Sequence, residues 1–289
     1  MDRIDTHLHL IDPQRFSYDW TAGFPALAGR NFRLAEYREA AAGCGVSQAV
    51  FMEVDVPENE SIGEAAFFCG LAEDPSNGLS GVIAACRPER EDFAAQLEAL
   101  AHPKLLGFRR VLHTQPDELS TSALFRENVA RLGEANLTFD LCLLPRQLAN
   151  GAALIDACPG TRFILDHCGV PDIASGDLAF WRDQLREISL RPNLACKISG
   201  IIAYAAGDIT AETLRPVVEH VIDCFGWERV VWGSDWPVCN LTRDFATWSR
   251  LLDEILAGCS GAELARFYHL NARRIYQIED AGEAVCGPP

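Results

Sequence analysis

Positive charge is scarce in this chain of 289 residues: 25 lysines and arginines stand against 41 acidic residues, a formal charge of −16. Nucleic-acid surfaces need a basic footprint, so that class of partner is excluded; the acidity serves solubility instead. No run approaches the roughly 18 consecutive apolar residues of a membrane span. Residues 1–5 lack the basic and apolar stretches of a signal peptide. The eleven cysteines include no Cys-x-x-Cys pair, which removes the commonest zinc and redox spacings. Most sit in apolar company (Cys86, Cys142, Cys196, Cys224), so reduced, buried thiols and a cytoplasmic chain are expected. Cys168 is read the same way, as packing. Internal repeats, linkers and low-complexity runs are missing too, and one domain over residues 1–289 is expected.

What remains is an ordinary globular composition, 48% hydrophobic and 23% charged, arranged as a long alternation. Apolar, strand-like segments fall at about residues 4–10, 46–56, 79–86, 105–113, 137–144, 162–167, 194–199 and 230–235. Between and after them lie helical patterns near 34–42, 61–71, 89–101, 122–134, 147–157, 179–189, 211–225, 244–256 and 261–276. Eight strands alternating with helices mean a parallel sheet, and at this length a (β/α)8 TIM-like barrel leads. An open doubly wound sheet would advertise a Gly-rich phosphate turn after the first strand. That position holds His9-Leu10-Ile11-Asp12-Pro13.

The chemistry collects at strand ends. In the first strand a period of two puts Asp5, His7 and His9 on one face, and two imidazoles two residues apart can reach one divalent ion. The second strand ends with Glu53 and Asp55, the fourth with Arg109, Arg110 and His113, the sixth with Asp166-His167. The seventh ends with Lys197 and Ser199 and the eighth with Ser234-Asp235. Each has an ordinary structural reading alone: Lys197 could pair with a carboxylate, and Arg110 could face the helix layer. Together they crowd the rim at which barrels carry their active sites. Strand parity favours Arg109 as the inward arginine. Residues 11–31 form a long irregular loop carrying Tyr18, Trp20 and Phe24, suited to covering a ligand.

The segments Ile4-Asp5-Thr6-His7-Leu8-His9, Gly107-Phe108-Arg109-Arg110-Val111-Leu112-His113, Thr138-Phe139-Asp140-Leu141-Cys142, Phe163-Ile164-Leu165-Asp166-His167-Cys168-Gly169 and Trp232-Gly233-Ser234-Asp235-Trp236-Pro237-Val238 together resemble the amidohydrolase superfamily. Within it they are similar to the metal-dependent-hydrolase-like branch that contains sugar lactonases. The resemblance implies a distorted (β/α)8 barrel that opens a small lactone. It carries the metal or water site onto His7, His9 and Asp235, and a ligand or substrate donor onto His167. Val170 and Leu10-Ile11 depart from residues common in relatives, which bears on substrate identity. No lysine ends the fourth or fifth strand, against a carbamylated binuclear centre.

From these residues a mechanism follows. Asp235 takes a proton from water. One divalent metal, zinc by its ligand types, is expected on His7, His9 and Asp235 with Glu53 or His167; the alternative is that the same groups orient the water as a hydrogen-bonded cluster without metal. Arg109, Arg110, His113, Lys197 and Trp20 are expected around the substrate, as donors to developing charge or to hydroxyls. The expected partner is a small-molecule lactone or sugar acid, with self-association into a homo-oligomer left open. Two rival readings are a metal-dependent decarboxylase of an unsaturated or aromatic acid, and a barrel that binds sugar acids without turnover.

Overall fold

The computed structural model describes residues 1–203, 205 and 207–278. The expected single domain extends to residues 279–289, and Cys286 with it, which lie outside the described residues. Eight parallel strands run in chain order: β1 (Arg3–Leu8), β2 (Val46–Met52), β3 (Leu79–Ala85), β4 (Leu105–Val111), β5 (Thr138–Cys142), β6 (Arg162–Leu165), β7 (Leu194–Ile198) and β8 (Val230–Trp232). Helices α1 (Leu34–Ala40), α2 (Glu58–Ala72), α3 (Phe93–Ala99), α4 (Ala123–Glu134), α5 (Leu148–Ala157), α6 (Ala179–Ile188) and α7 (Ala211–Phe225) follow successive strands, and α8 (Phe245–Ile255), α9 (Gly261–Ala265) and α10 (Asn271–Tyr276) follow the last. The sheet closes where the Asp235 amide donates to His7 O (2.9 Å) and the His9 amide to Trp236 O (2.8 Å). This is a TIM-like (β/α)8 barrel, as expected.

Helix starts obey local chemistry. Ser122, Thr210, Asp244 and Ser260 each accept a hydrogen bond from the amide three residues on, capping α4, α7, α8 and α9. No helix among the described residues is long and apolar enough to cross a membrane.

Two apolar layers hold the barrel. Ile4, Val50, Met52, Ile83, Ile164 and Val231 fill its interior with Ile275 and Tyr276 of α10, which stop the lower end. The other strand faces pack on the helices, with Phe51 of β2 stacked on Phe68 of α2 at 3.7 Å between ring centroids. Ten cysteines among the described residues are free thiols, most of them buried, including Cys86, Cys142 and Cys196 as expected, whereas Cys224 is only half-buried.

The strands are shorter than the apolar runs that announce them. β1 stops at Leu8, β2 at Met52, β4 at Val111 and β8 at Trp232, so His9, Glu53, His113 and Asp235 stand just past the sheet. At the exits of β2, β6 and β8 the physical reason is backbone geometry: Asp55, His167, Cys168, Val170 and Asp235 all have φ between 50° and 57°, a left-handed geometry that ends extended structure.

Candidate active site

The first strand does not keep its alternation. Between Asp5 and Leu8 three steps of β1 face two of β2, since Asp5 pairs with Ala49 and Leu8 with Phe51. Such a bulge re-aims side chains. Ile4 stays inside the barrel, and His7 also points inward, while Asp5 turns to the helix layer. There its carboxylate accepts from Tyr37 Oη of α1 (2.9 Å), the Ser234 amide (2.8 Å) and the His7 amide (3.1 Å). The expected shared face of Asp5, His7 and His9 is therefore corrected: only the histidines reach the site.

His9 is fixed by the Met52 carbonyl, which accepts from its Nδ1 at 3.0 Å. Its Nε2 then faces Asp235 Oδ1 at 3.5 Å. Nε2 of His7 lies 3.7 Å from the same oxygen. The second Asp235 oxygen, Oδ2, is buried and has no hydrogen-bond partner among the described residues. His167 leans on His7, with ring centroids 4.5 Å apart, and its Nδ1 lies 2.9 Å from Ser199 Oγ. Burial pushes the His167 and His7 rings below their ordinary range, the latter aided by the Lys197 ammonium. Two glycines make the crowding possible. A Cβ on Gly233 would sit 2.7 Å from His7 Cβ, and one on Gly200 would strike His167 Nδ1.

Ligand atoms of His7, His9 and Asp235 lie within 4.8 Å of one another, as do those of His7, Asp166 and His167. The first group suits an open three-ligand metal site of nitrogen and carboxylate donors, and the unpartnered Asp235 Oδ2 is a further acceptor there. In the second group a cation is already present. Lys197 Nζ lies 3.0 Å from Asp166 Oδ1, 2.7 Å from Asp140 Oδ2 and 3.1 Å from His7 Nδ1.

Several expected contacts are corrected by these distances. Lys197 is wholly buried, and its ammonium is engaged by Asp140, Asp166 and His7 rather than left free. Burial alone would lower its pKa, but Asp140 and Asp166 outweigh that and keep it charged. Arg109 does point inward, as parity implies, yet its fork is occupied: Nε donates to Glu53 Oε1 (2.6 Å), Nη2 to Glu53 O (2.8 Å), and Nη1 faces His7 Nε2 at 3.3 Å. Glu53 is spent by the same pairing, with Oε2 accepting from the Asp55 amide at 2.7 Å; it joins neither metal-capable group among the described residues. Arg110 turns the other way and grips Glu89 at 2.6 Å.

His113 and Trp20 remain near the mouth. His113 Nδ1 lies 2.9 Å from Cys142 Sγ, and burial, then the neighbouring His167 and Arg109, drop its pKa to about 4. Trp20 Nε1 donates to Val54 O at 2.9 Å, tying the irregular loop to the exit of β2. A cleft of about 570 Å³ between Leu10, Arg33 and Phe67 contains none of His7, His9, His167 and Asp235. Asp140 and Tyr276, whose hydroxyl donates to Asp140 Oδ2 at 3.0 Å, escape sequence reasoning. The available signal was a charge interrupting the apolar run Phe139-Asp140-Leu141 at an inward position.

The profile of the family described as Amidohydrolase matches residues 4–278. The chain belongs to this family. An L-fucono-1,5-lactonase of Burkholderia multivorans is 27% identical over 295 residues, covering 98% of each chain. A second L-fucono-1,5-lactonase, from Burkholderia ambifaria, is 27% identical over 96% of each chain. Among solved structures, an amidohydrolase from Burkholderia multivorans with bound zinc superposes with a TM-score of 0.87 at 25% identity, covering 96% of this chain and 100% of that one.

Proposed function

We propose that this amidohydrolase hydrolyses a small sugar-acid lactone, with Asp235 as the base that activates water. The observation that carries the reading is the free Oδ2 of Asp235, buried beside two histidine rings and a glycine backbone. A carboxylate held this way has one job left, which is to accept a proton from something that enters the site. The lactonases named above, similar over nearly the whole chain, support an ester carbonyl as the electrophile.

The chain's own residues divide the work. His9, with Nδ1 tied to a carbonyl, offers Nε2 beside Asp235 and orients the attacking water. His167 sits across the cluster, and Ser199 on its Nδ1 leaves Nε2 available as a donor to the carbonyl oxygen as negative charge develops there. Neutral His113 is a second donor or acceptor for ring hydroxyls, and Trp20 holds the covering loop. The donor set of His7, His9 and Asp235 fits a single divalent ion, zinc by ligand chemistry, and such an ion when bound would lower the pKa of its water to about 7. Arg109, Arg110 and Lys197 act behind the site by holding carboxylates, not by touching substrate.

The test is a panel of aldonic and aromatic lactones read with a pH indicator, repeated after exhaustive chelation. Acid release from aldonic lactones supports the reading. Carbon dioxide release from aromatic or unsaturated acids without lactone opening replaces it with a decarboxylase. A cytoplasmic location and a possible homo-oligomeric state belong to the same proposal.

A further inference from the structure

His167 stands on an unusual piece of backbone. Four consecutive residues, His167, Cys168, Gly169 and Val170, have φ of 52°, 57°, 69° and 50°, so the exit of β6 is a single left-handed turn. Only one of the four is glycine. For the others the left-handed region is crowded by the Cβ, and for a β-branched residue such as Val170 it is a true outlier. Strain of this kind persists only where the surroundings over-determine it, and it clusters at functional sites. Something outside the turn must hold it.

Within the turn the Val170 amide donates to His167 O at 2.9 Å. From outside, Trp181 of α6 donates its Nε1 hydrogen to Cys168 O at 2.7 Å, and both residues are buried. The Cys168 thiol adds only a weak contact, its Sγ lying 3.7 Å from Lys197 O. A right-handed or extended path through these residues would rotate the Cys168 carbonyl away and leave a buried indole N–H without its acceptor, which is costly. The strained turn and the indole are therefore coupled. The same turn sets the His167 ring 4.5 Å from that of His7, with Nδ1 2.9 Å from Ser199 Oγ. Trp181 is itself backed by His220 of α7, at 5.3 Å between ring centroids.

We propose that Trp181 is a positioning residue: its hydrogen bond to the Cys168 carbonyl holds the left-handed turn and so keeps His167 in place over the cluster. The inference rests on the proposed reading of His167 as the donor to the developing negative charge on the carbonyl oxygen. Trp181 touches no reacting atom. It acts from the helix layer, through one backbone carbonyl, on the ring of the residue before it. Without the indole N–H the turn relaxes, and fewer molecules hold His167 where the transition state needs it. Ground-state binding hardly depends on that donor, so the loss falls on kcat.

Trp181→Phe keeps an aromatic ring beside His220 and removes the donor. Native-state hydrogen exchange on the full-length chain reads the turn through the Val170 amide. The Val82 amide of β3, which donates to Lys104 O at 2.8 Å, is the internal reference. In wild type, where no substitution can disturb the fold, the Trp181 indole N–H and the Val170 amide should be protected alike, as parts of one opening. In Trp181→Phe the Val170 amide should exchange about tenfold faster, the weight of one buried hydrogen bond, with Val82 unchanged. An unprotected indole in wild type, an unchanged Val170 amide, or equal acceleration of both amides overturns the proposal. On a lactone, Trp181→Phe should lower kcat about tenfold and move KM by less than about twofold. In the His167→Gln background the same substitution should change nothing further; losses that multiply overturn the proposal, because Trp181 would then act elsewhere. If wild type opens no lactone, the functional reading fails, and the exchange result still decides whether Trp181 holds the turn.

Discussion

Gly200 lies against Asp235 so closely that a Cβ there would sit 2.9 Å from Asp235 Oδ2. The backbone two residues past β7 is thus one wall of the space in which the free carboxylate oxygen must work. Gly200 also has φ +65°, a conformation that costs an L residue roughly 1–2 kcal/mol. Gly200→Ala is therefore expected to lower stability by more than that amount, since the clash with His167 adds to it, and to abolish turnover, because His167 and Asp235 must both move. Urea unfolding and lactone hydrolysis measured on the same preparation check it; a variant with full activity would show the wall to be unnecessary.

Asp235→Asn separates chemistry from fold. The amide fills nearly the same volume, and the backbone closure through the Asp235 amide to His7 O is untouched. Turnover should fall about 10²–10⁴-fold, the usual weight of an acid/base group, with little change in melting temperature. Full activity with an unaltered pH profile would assign the base elsewhere.

Arg109 behaves differently from what its position near the mouth invites. Because Glu53 engages its Nε and the Glu53 carbonyl its Nη2, Arg109→Met leaves a buried carboxylate without its partner. The expected cost is about 3–5 kcal/mol of stability, larger than any specific effect on KM. Adding Glu53→Gln should return much of that loss. Chemical denaturation of the two single variants and the double gives the coupling directly, and a zero coupling would contradict the pairing.

The histidines set the acid limit. His113 is pushed to about 4 from an ordinary value near 6.5, and His7 and His167 are lowered as well. Between those values the unfolded chain binds more protons than the folded one, so stability rises with pH across the window. It is fully present above about 6.5 and is lost as pH falls towards about 4. Urea midpoints between pH 4 and 7 should show that slope, and His113→Phe should flatten part of it.

How much of this the sequence carries depends on the range of the force involved. Alternating apolar runs and helix caps are local, so the eight strands and the capped starts of α4, α7 and α8 are readable. Inward parity at Arg109 is readable too, because β4 is regular. At β1 the rule fails: one extra residue opposite β2 sends Asp5 to Tyr37, and nothing in Ile4-Asp5-Thr6-His7 marks a bulge. Strand ends fail for a similar reason, since Asp55, His167 and Asp235 adopt positive φ without being glycine. Partners are the least visible. That Lys197 meets Asp140, Asp166 and His7 rather than a substrate depends on strands far apart in the chain meeting around a closed ring.

Tyr276 gives that dependence a direction in time. Its hydroxyl reaches Asp140, the carboxylate that also anchors Lys197, from a helix that stops the lower end of the barrel. During synthesis the histidine cluster of β1 emerges first, and the residue that finishes its charge network emerges some 270 residues later. Removing α10 would therefore take away both the apolar stopper of the barrel and the hydroxyl on Asp140.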